Sequence, residues 1–85
     1  MSQKYNIQKI ESSLKSFLEK ETKSVIASRD TDLVKKGIIS SLDMFLLIEF
    51  IEKKFKVSVD ITTLNPENFN SLRSIAAHIA LWTSI

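Results

Sequence analysis

Serine hydroxyls and one imidazole are the side chains of this sequence that could carry out covalent chemistry. Ser40 and Ser41 stand together shortly after Gly37, and Ser71 precedes a later apolar run. His78 is the single histidine, so it is the imidazole base that could activate Ser41 or Ser71 for acyl transfer. One histidine without a local catalytic signature is a weak signal for a hydrolase. The pattern therefore does not favour an acyl hydrolase.

Other chemistries lack the residues that they require. The sequence has no cysteine, one histidine and one glycine, so we expect no metal site, no disulfide and no glycine-rich phosphate loop. Glu49 and Glu52 stand one helical step apart, which is typical of a solvated helix edge. The net charge is +2 and the basic residues are scattered, so we expect no nucleic-acid binding.

The bulk composition predicts one small domain that spans residues 1–85. With 44% hydrophobic and 26% charged residues, the chain can form a single packed core. The longest unbroken apolar run, Met44 to Ile48, falls far short of the roughly 20 residues needed to cross a bilayer. The first residues lack the apolar stretch of a signal peptide. We therefore expect a cytoplasmic monomer without a membrane span.

The elements that position these serines are predicted to be helices. Apolar residues at three- and four-residue steps indicate a first helix over about Tyr5–Glu19, and Ser71 can cap a last helix. The stripe of the first helix comprises Ile7, Ile10, Leu14, Phe17 and Leu18. The stripe of the last helix comprises Leu72, Ile75, Ala76, Ile79 and Trp82. Pro66 could begin a short helix, so we predict an all-α bundle of three main helices and one short helix.

The middle of the chain contains a long loop and then the most apolar helix. The segment 21–36 has no sustained period, and its expected anchors are Val25, Ile26, Leu33 and Val34. A helix over about 41–54 is apolar nearly all round, so we expect it to be the central element of the bundle. Its expected core residues are Leu42, Phe45, Leu46, Ile48 and Ile51, packed against Ile10, Leu14 and Phe17 and against Ile75 and Ile79.

Ser40 and Ser41 stand at the start of this central helix. Gly37 permits a sharp turn before it, and Ser40 with Asp43 matches a capping box in which Asp replaces the preferred Glu or Gln. A serine that opens a helix lies at the positive end of the helix dipole, where a phosphate is stabilised. An isolated pair of serines at this place would favour capping alone.

Three stretches of the sequence resemble the acyl carrier protein family, including its peptidyl and aminoacyl carriers. The segment Gly37–Asp43 is similar to the family's attachment motif of Gly, two apolar residues and Asp-Ser-Leu. The segments Leu46–Val59 and Asn65–Ile79 look like its second helix and its third and fourth helices. Together with Leu33, the likeness covers roughly the C-terminal two-thirds of the chain.

The resemblance implies that the chain is a carrier and not an enzyme. Ser41 would be joined through a phosphodiester to 4′-phosphopantetheine, which a separate Mg²⁺-dependent phosphopantetheinyl transferase takes from coenzyme A. The terminal thiol would hold acyl groups as thioesters for fatty acid, polyketide or related biosynthesis. The implied partners are this transferase and the enzymes that load and transfer the acyl or aminoacyl groups.

Two departures from the family pattern affect the partners. Ser40 replaces the usual Asp, so transferase recognition can differ, and Ser40 itself becomes a second candidate target, although Leu42 favours Ser41. The segment 41–55 carries a net charge of only −1, whereas many carriers are strongly acidic here. We therefore expect docking by apolar contact through Leu42, Met44 and Leu47, with Asp43 and Glu49 as docking charges.

Two further interpretations stay open. Gly37, four residues before Ser41, is compatible with an aminoacyl or D-alanyl carrier. From a different class, the same bundle could be an unmodified helical protein-interaction module in which Ser41 only caps a helix. The sequence does not name the cargo, because the enzymes that recognise the surface decide it.

Overall fold

The apolar stripes of the sequence form three α-helices in a computed structural model of the chain, which describes residues 6–60, 62, 64–65 and 67–83. The helices are α1 (Ile7–Thr22), α2 (Ser41–Phe55) and α3 (Leu72–Thr83). No β-strand occurs among the described residues. The all-α class and the three main helices are therefore confirmed.

The helix bounds differ slightly from those that the periodicity predicts. Residue Tyr5, the expected start of the first helix, lies outside the described residues, and α1 continues to Thr22. The short helix predicted from Pro66 is not confirmed. Pro66 lies outside the described residues, and Glu67 and Asn68, which follow it, form a turn.

Local side-chain contacts explain where the helices begin and end. The side chain of Asn6 caps α1 by accepting a hydrogen bond from the Lys9 amide at 2.8 Å. Lys23 ends α1 in the left-handed conformation, with φ of 59°. The Ser71 hydroxyl accepts from the Ser74 amide at 3.2 Å, which confirms the predicted cap of α3.

The core is built mainly between α1 and α3, which form the most extensive helix–helix contact. Each helix contributes side chains that are almost completely buried. They are Ile10, Leu14 and Leu18 from α1, Leu47, Ile48, Ile51 and Phe55 from α2, and Leu72, Ile75, Ala76 and Ile79 from α3. Burial of one such Leu or Ile contributes roughly 1.5–3 kcal/mol. The expected core residues of the first and last helices are thus confirmed, except that Phe17 is only partly buried.

The prediction that the second helix is the central element is wrong. Ile48 and Ile51 are buried as expected, but Leu42 and Phe45 are 68% and 58% exposed. Leu46, also expected in the core, is only partly buried and does not belong to the core cluster. The physical reason is that α1 and α3 pack mainly against each other, so they cover only one side of α2. Residues 42 and 45 are three positions apart and share the uncovered face.

The segment 23–40 crosses from α1 to α2 without a helix. Ile26 and Leu33 anchor it in the core, as predicted. The other two expected anchors are wrong, because Val25 is 83% and Val34 is 40% exposed. Val25 is the neighbour of Ile26, and Val34 is the neighbour of Leu33. Neighbouring side chains of an extended or turning chain point in different directions, so only one of each pair faces the core.

Candidate functional site

The start of α2 is fixed by a capping box, as the sequence predicts. Ser40 has an extended backbone, and its hydroxyl accepts from the Asp43 amide at 3.3 Å. The Asp43 carboxylate in turn accepts from the Ser40 amide at 3.0 Å and from the Ser40 hydroxyl at 2.9 Å. The Ser40 hydroxyl therefore both donates and accepts within the cap. It is committed to holding the helix start.

Ser41 is the first residue of α2, and its environment is different. The residue is exposed, and its hydroxyl makes no hydrogen bond to any other described residue. It stands at the positive end of the helix dipole, beside backbone amides that have no partner within the helix. Ser40 thus caps the helix, and the Ser41 hydroxyl is available for a reaction or for a contact with another molecule.

A groove runs beside Ser41, with a volume of about 370 Å³. We call it the Ser41 groove. It is lined by Ser40 and Ser41 and by five apolar side chains, Val34, Ile39, Met44, Phe45 and Ile48. A hydroxyl at the edge of a mainly apolar groove can carry a substituent whose chain lies along these side chains.

The predicted docking residues fall into two groups. Leu42 is exposed beside Ser41, and Met44 is partly buried in the wall of the Ser41 groove. Leu47 is completely buried, so its prediction as a docking residue is wrong. The reason is that Leu47 lies on the side of α2 that packs against the core together with Ile51.

The predicted docking charges are already engaged within the chain. Asp43 is partly buried and its carboxylate belongs to the capping box. Glu49 is exposed, and its carboxylate lies 3.6 Å from the Lys53 ammonium one helical turn away. Such an exposed pair has little effect on stability, but it partly neutralises Glu49.

Sequence reasoning missed Val34 and Phe45 as parts of this site. Both were expected in the core, yet both are exposed and line the Ser41 groove. One signal could have indicated Phe45, since it follows Leu42 by three residues on the same face as the helix start. No local signal indicates Val34, because the turn that places it depends on distant contacts.

The turn before α2 is built from Asp32 and Gly37. The Asp32 carboxylate accepts from the Val34 and Lys35 amides at 3.1 and 2.8 Å. Gly37 has φ of +72°, a conformation that residues with a Cβ rarely adopt, so its predicted role in a sharp turn is confirmed. The turn brings Val34 to the Ser41 groove.

Contacts with Asn70, just before α3, and with α3 itself hold this turn and the loop before it in place. The Leu33 amide donates to the Asn70 carbonyl at 2.7 Å, and the Asn70 side chain donates to Asp32 at 3.0 Å. Earlier in the loop, Asp30 receives two hydrogen bonds from the Arg73 guanidinium, at 2.5 and 2.9 Å. The loop that leads to Ser41 therefore depends on contacts that are distant in sequence, and not on the motif alone.

His78 lies in a different environment from a catalytic base. Its Nδ1 is 2.8 Å from the Ser74 carbonyl oxygen, to which it donates, and its ring packs against Phe69 and Trp82. No hydrogen bond joins it to either Ser41 or Ser71 within the described residues. The contacts with Phe69 and Trp82 indicate that His78 is a packing residue.

The described residues lack two features that would indicate other functions. No group of three or more His, Cys, Asp or Glu side chains is arranged to hold a metal ion there. None of the helices in this part of the chain is long and apolar enough to cross a membrane.

The fold and the site define a small helical domain whose free serine hydroxyl opens its second helix beside an apolar groove. No protein-family model matches the chain, and no curated protein has a significantly similar sequence.

Proposed function

We propose that the chain is a carrier protein that bears 4′-phosphopantetheine on Ser41 and holds acyl intermediates as thioesters on the arm. It serves fatty acid, polyketide or related biosynthesis in the cytoplasm. The alternative within the same class of carriers is a protein that holds an aminoacyl or D-alanyl group. It catalyses no reaction itself. Its partners are a phosphopantetheinyl transferase and the enzymes that load and unload the arm.

The observation that carries the proposal is the difference between two neighbouring hydroxyls. Ser40 is locked in the capping box, whereas Ser41 is exposed and has no hydrogen-bond partner among the described residues. A serine whose only task was capping would have the contacts of Ser40. This difference also favours Ser41 over Ser40 as the attachment point.

The surroundings of Ser41 support the same chemistry. A phosphodiester on its oxygen would lie at the positive end of α2, where an anion is stabilised by about 0.3–1 kcal/mol. The apolar side chains of the Ser41 groove offer cover for part of the cargo. The chain has no cysteine, so no thiol of its own can take the acyl group from the arm.

The attachment reaction needs only one group from this chain, the Ser41 hydroxyl. The Ser41 oxygen attacks the phosphorus of coenzyme A that bears the pantetheine. The P–O bond to the second phosphate breaks, adenosine bisphosphate leaves, and a base of the transferase takes the serine proton. Magnesium bound by the transferase supplies charge neutralisation of the phosphates.

A second candidate function has its own support. The exposed Leu42 and Phe45 form an apolar face, which is a common feature of protein-interaction surfaces. An unmodified interaction module would use this face directly, and Ser41 would stay unmodified.

An intact-mass measurement separates the two functions. The chain is incubated with coenzyme A, Mg²⁺ and a broad-specificity phosphopantetheinyl transferase, together with the variants Ser41→Ala and Ser40→Ala. We expect the wild type and Ser40→Ala to gain one phosphopantetheine and Ser41→Ala to gain none. An unmodified wild type, with an authentic carrier modified in parallel, would contradict the carrier function and favour the interaction module.

A further inference from the structure

The carboxylates of α2 that could attract a basic partner are occupied within the chain. Asp43 accepts two hydrogen bonds from Ser40 in the capping box. Glu52 accepts from the Val59 amide at 2.8 Å, and Glu49 pairs with Lys53. Only Glu49 pairs with a cation among the described residues, but α2 has two lysines, Lys53 and Lys54, beside its three carboxylates, so its net charge is only −1.

Two lysines lie in the turn that borders the Ser41 groove. Lys35 and Lys36 are exposed and directly follow Val34, in the turn that borders the Ser41 groove. Neither lysine has an ion-pair partner among the described residues. From Val34 to Leu46 the chain has two lysines and one aspartate, a net charge of +1.

An apolar patch occupies the centre of this surface. We define it as Val34, Leu42 and Phe45, which are 40%, 68% and 58% exposed. Leu42 and Phe45 share one face of α2, and Phe45 and Val34 line the same groove as Ser41. An exposed apolar patch that includes a phenylalanine and is bordered by polar residues is a common feature of protein–protein contact surfaces.

We propose that the enzymes acting on Ser41 present an apolar socket for Leu42 and Phe45, with carboxylates at its rim opposite Lys35 and Lys36. The inference rests on the carrier function proposed above and adds the chemistry of the partner. Charge complementarity carries it, because the two lysines beside the patch have no ion-pair partner among the described residues, whereas the net charge of α2 is only −1. A basic partner face would place positive charge against these two lysines.

The test measures kcat/KM for modification of Ser41 by the phosphopantetheinyl transferase of the protein's own organism. We expect the double variant Leu42→Ser/Phe45→Ser to lower kcat/KM by about tenfold or more, since two anchors are lost. The control is Val25→Ser, which removes an even more exposed apolar side chain from the loop 23–40, outside the lining of the Ser41 groove, and should stay within about twofold.

A charge reversal tests the rim of the socket. Lys35→Glu/Lys36→Glu should lower kcat/KM by about threefold or more, whereas Lys9→Glu/Lys15→Glu, on the exposed face of α1, should stay within about twofold. Far-ultraviolet circular dichroism checks that each variant keeps its helices. The proposal fails if Leu42→Ser/Phe45→Ser keeps the wild-type kcat/KM or if Lys35→Glu/Lys36→Glu keeps or raises it.

The two failures can be told apart. If the wild type is modified and these variants behave otherwise than expected, the docking proposal is overturned and the carrier function stands. If the wild type is modified by neither this transferase nor the broad-specificity one, both proposals are overturned.

Discussion

Ser40 and Ser41 are adjacent residues of the same type, and their positions in the helix decide what each hydroxyl contacts. An N-cap residue has an extended backbone that directs its side chain towards the amides of the first turn. Ser40 has this backbone, with φ of −88° and ψ of 177°. Ser41 is already helical and exposed, and its hydroxyl has no hydrogen-bond partner among the described residues.

Alanine substitutions at the two serines should change the free energy of unfolding by different amounts. Ser40→Ala removes the cap and should lower the free energy of unfolding by about 1 kcal/mol. Ser41→Ala removes a hydroxyl without described contacts and should change it by less than about 0.5 kcal/mol. Urea unfolding followed by circular dichroism measures both values. An equal loss in the two variants would show that Ser41 also serves the cap.

The capping box could be predicted from the sequence because it depends only on the spacing of Ser40 and Asp43. The freedom of the Ser41 hydroxyl could not. It depends on which side chains of the loop approach the helix start, and contacts distant in sequence, such as Leu33 with Asn70, decide that.

Between the helices, the loop 23–40 carries the turn that leads to Ser41. Two ion pairs fasten it, one between Arg29 and Glu11 of α1 and one between Asp30 and Arg73 of α3. The Arg73 hydrogen bond and charge hold the pKa of Asp30 below its ordinary value, although desolvation works in the opposite direction. The same pair raises the pKa of Arg73.

The lowered pKa of Asp30 predicts a stability component that depends on pH. The ion pair favours the folded state above the ordinary aspartate pKa of about 3.9, and its contribution is lost as the pH falls through the lowered folded value. Asp30→Asn should therefore be less stable than the wild type at neutral pH, and the difference should shrink below about pH 4 and vanish in stronger acid. Urea unfolding at a series of pH values measures this difference.

A suitable control for this titration is Glu67→Gln. Glu67 is exposed and has no ion-pair partner among the described residues. Its substitution should not reproduce the pH-dependent difference. A difference between wild type and Asp30→Asn that grew in acid would contradict the assigned ion pair.

At the scale of the whole molecule, the pairing of α1 with α3 decides which side of α2 remains open. The periodicity of α1 and α3 identifies their buried stripes, so these helices and most of their core residues could be predicted. A helix that is apolar nearly all round has no such stripe. Only the packed structure reveals that Leu47 is buried and that Phe45 faces outward.

Two truncations on α2 test this orientation. Leu47→Ala should lower the free energy of unfolding by about 2–5 kcal/mol, because it leaves a cavity in the core. Phe45→Ala should change it by less than about 0.5 kcal/mol, although phenylalanine loses more atoms. Equilibrium urea unfolding compares them. A larger loss for Phe45→Ala would show that the opposite face of α2 is buried.

The most direct test of the account is to locate the added group on the modified protein. The chain is incubated with coenzyme A and a phosphopantetheinyl transferase, digested, and sequenced by tandem mass spectrometry across the segment Gly37–Lys53. The account predicts phosphopantetheine on Ser41 and on no other residue of that segment. Attachment to Ser40, or no attachment while an authentic carrier is modified, would contradict it.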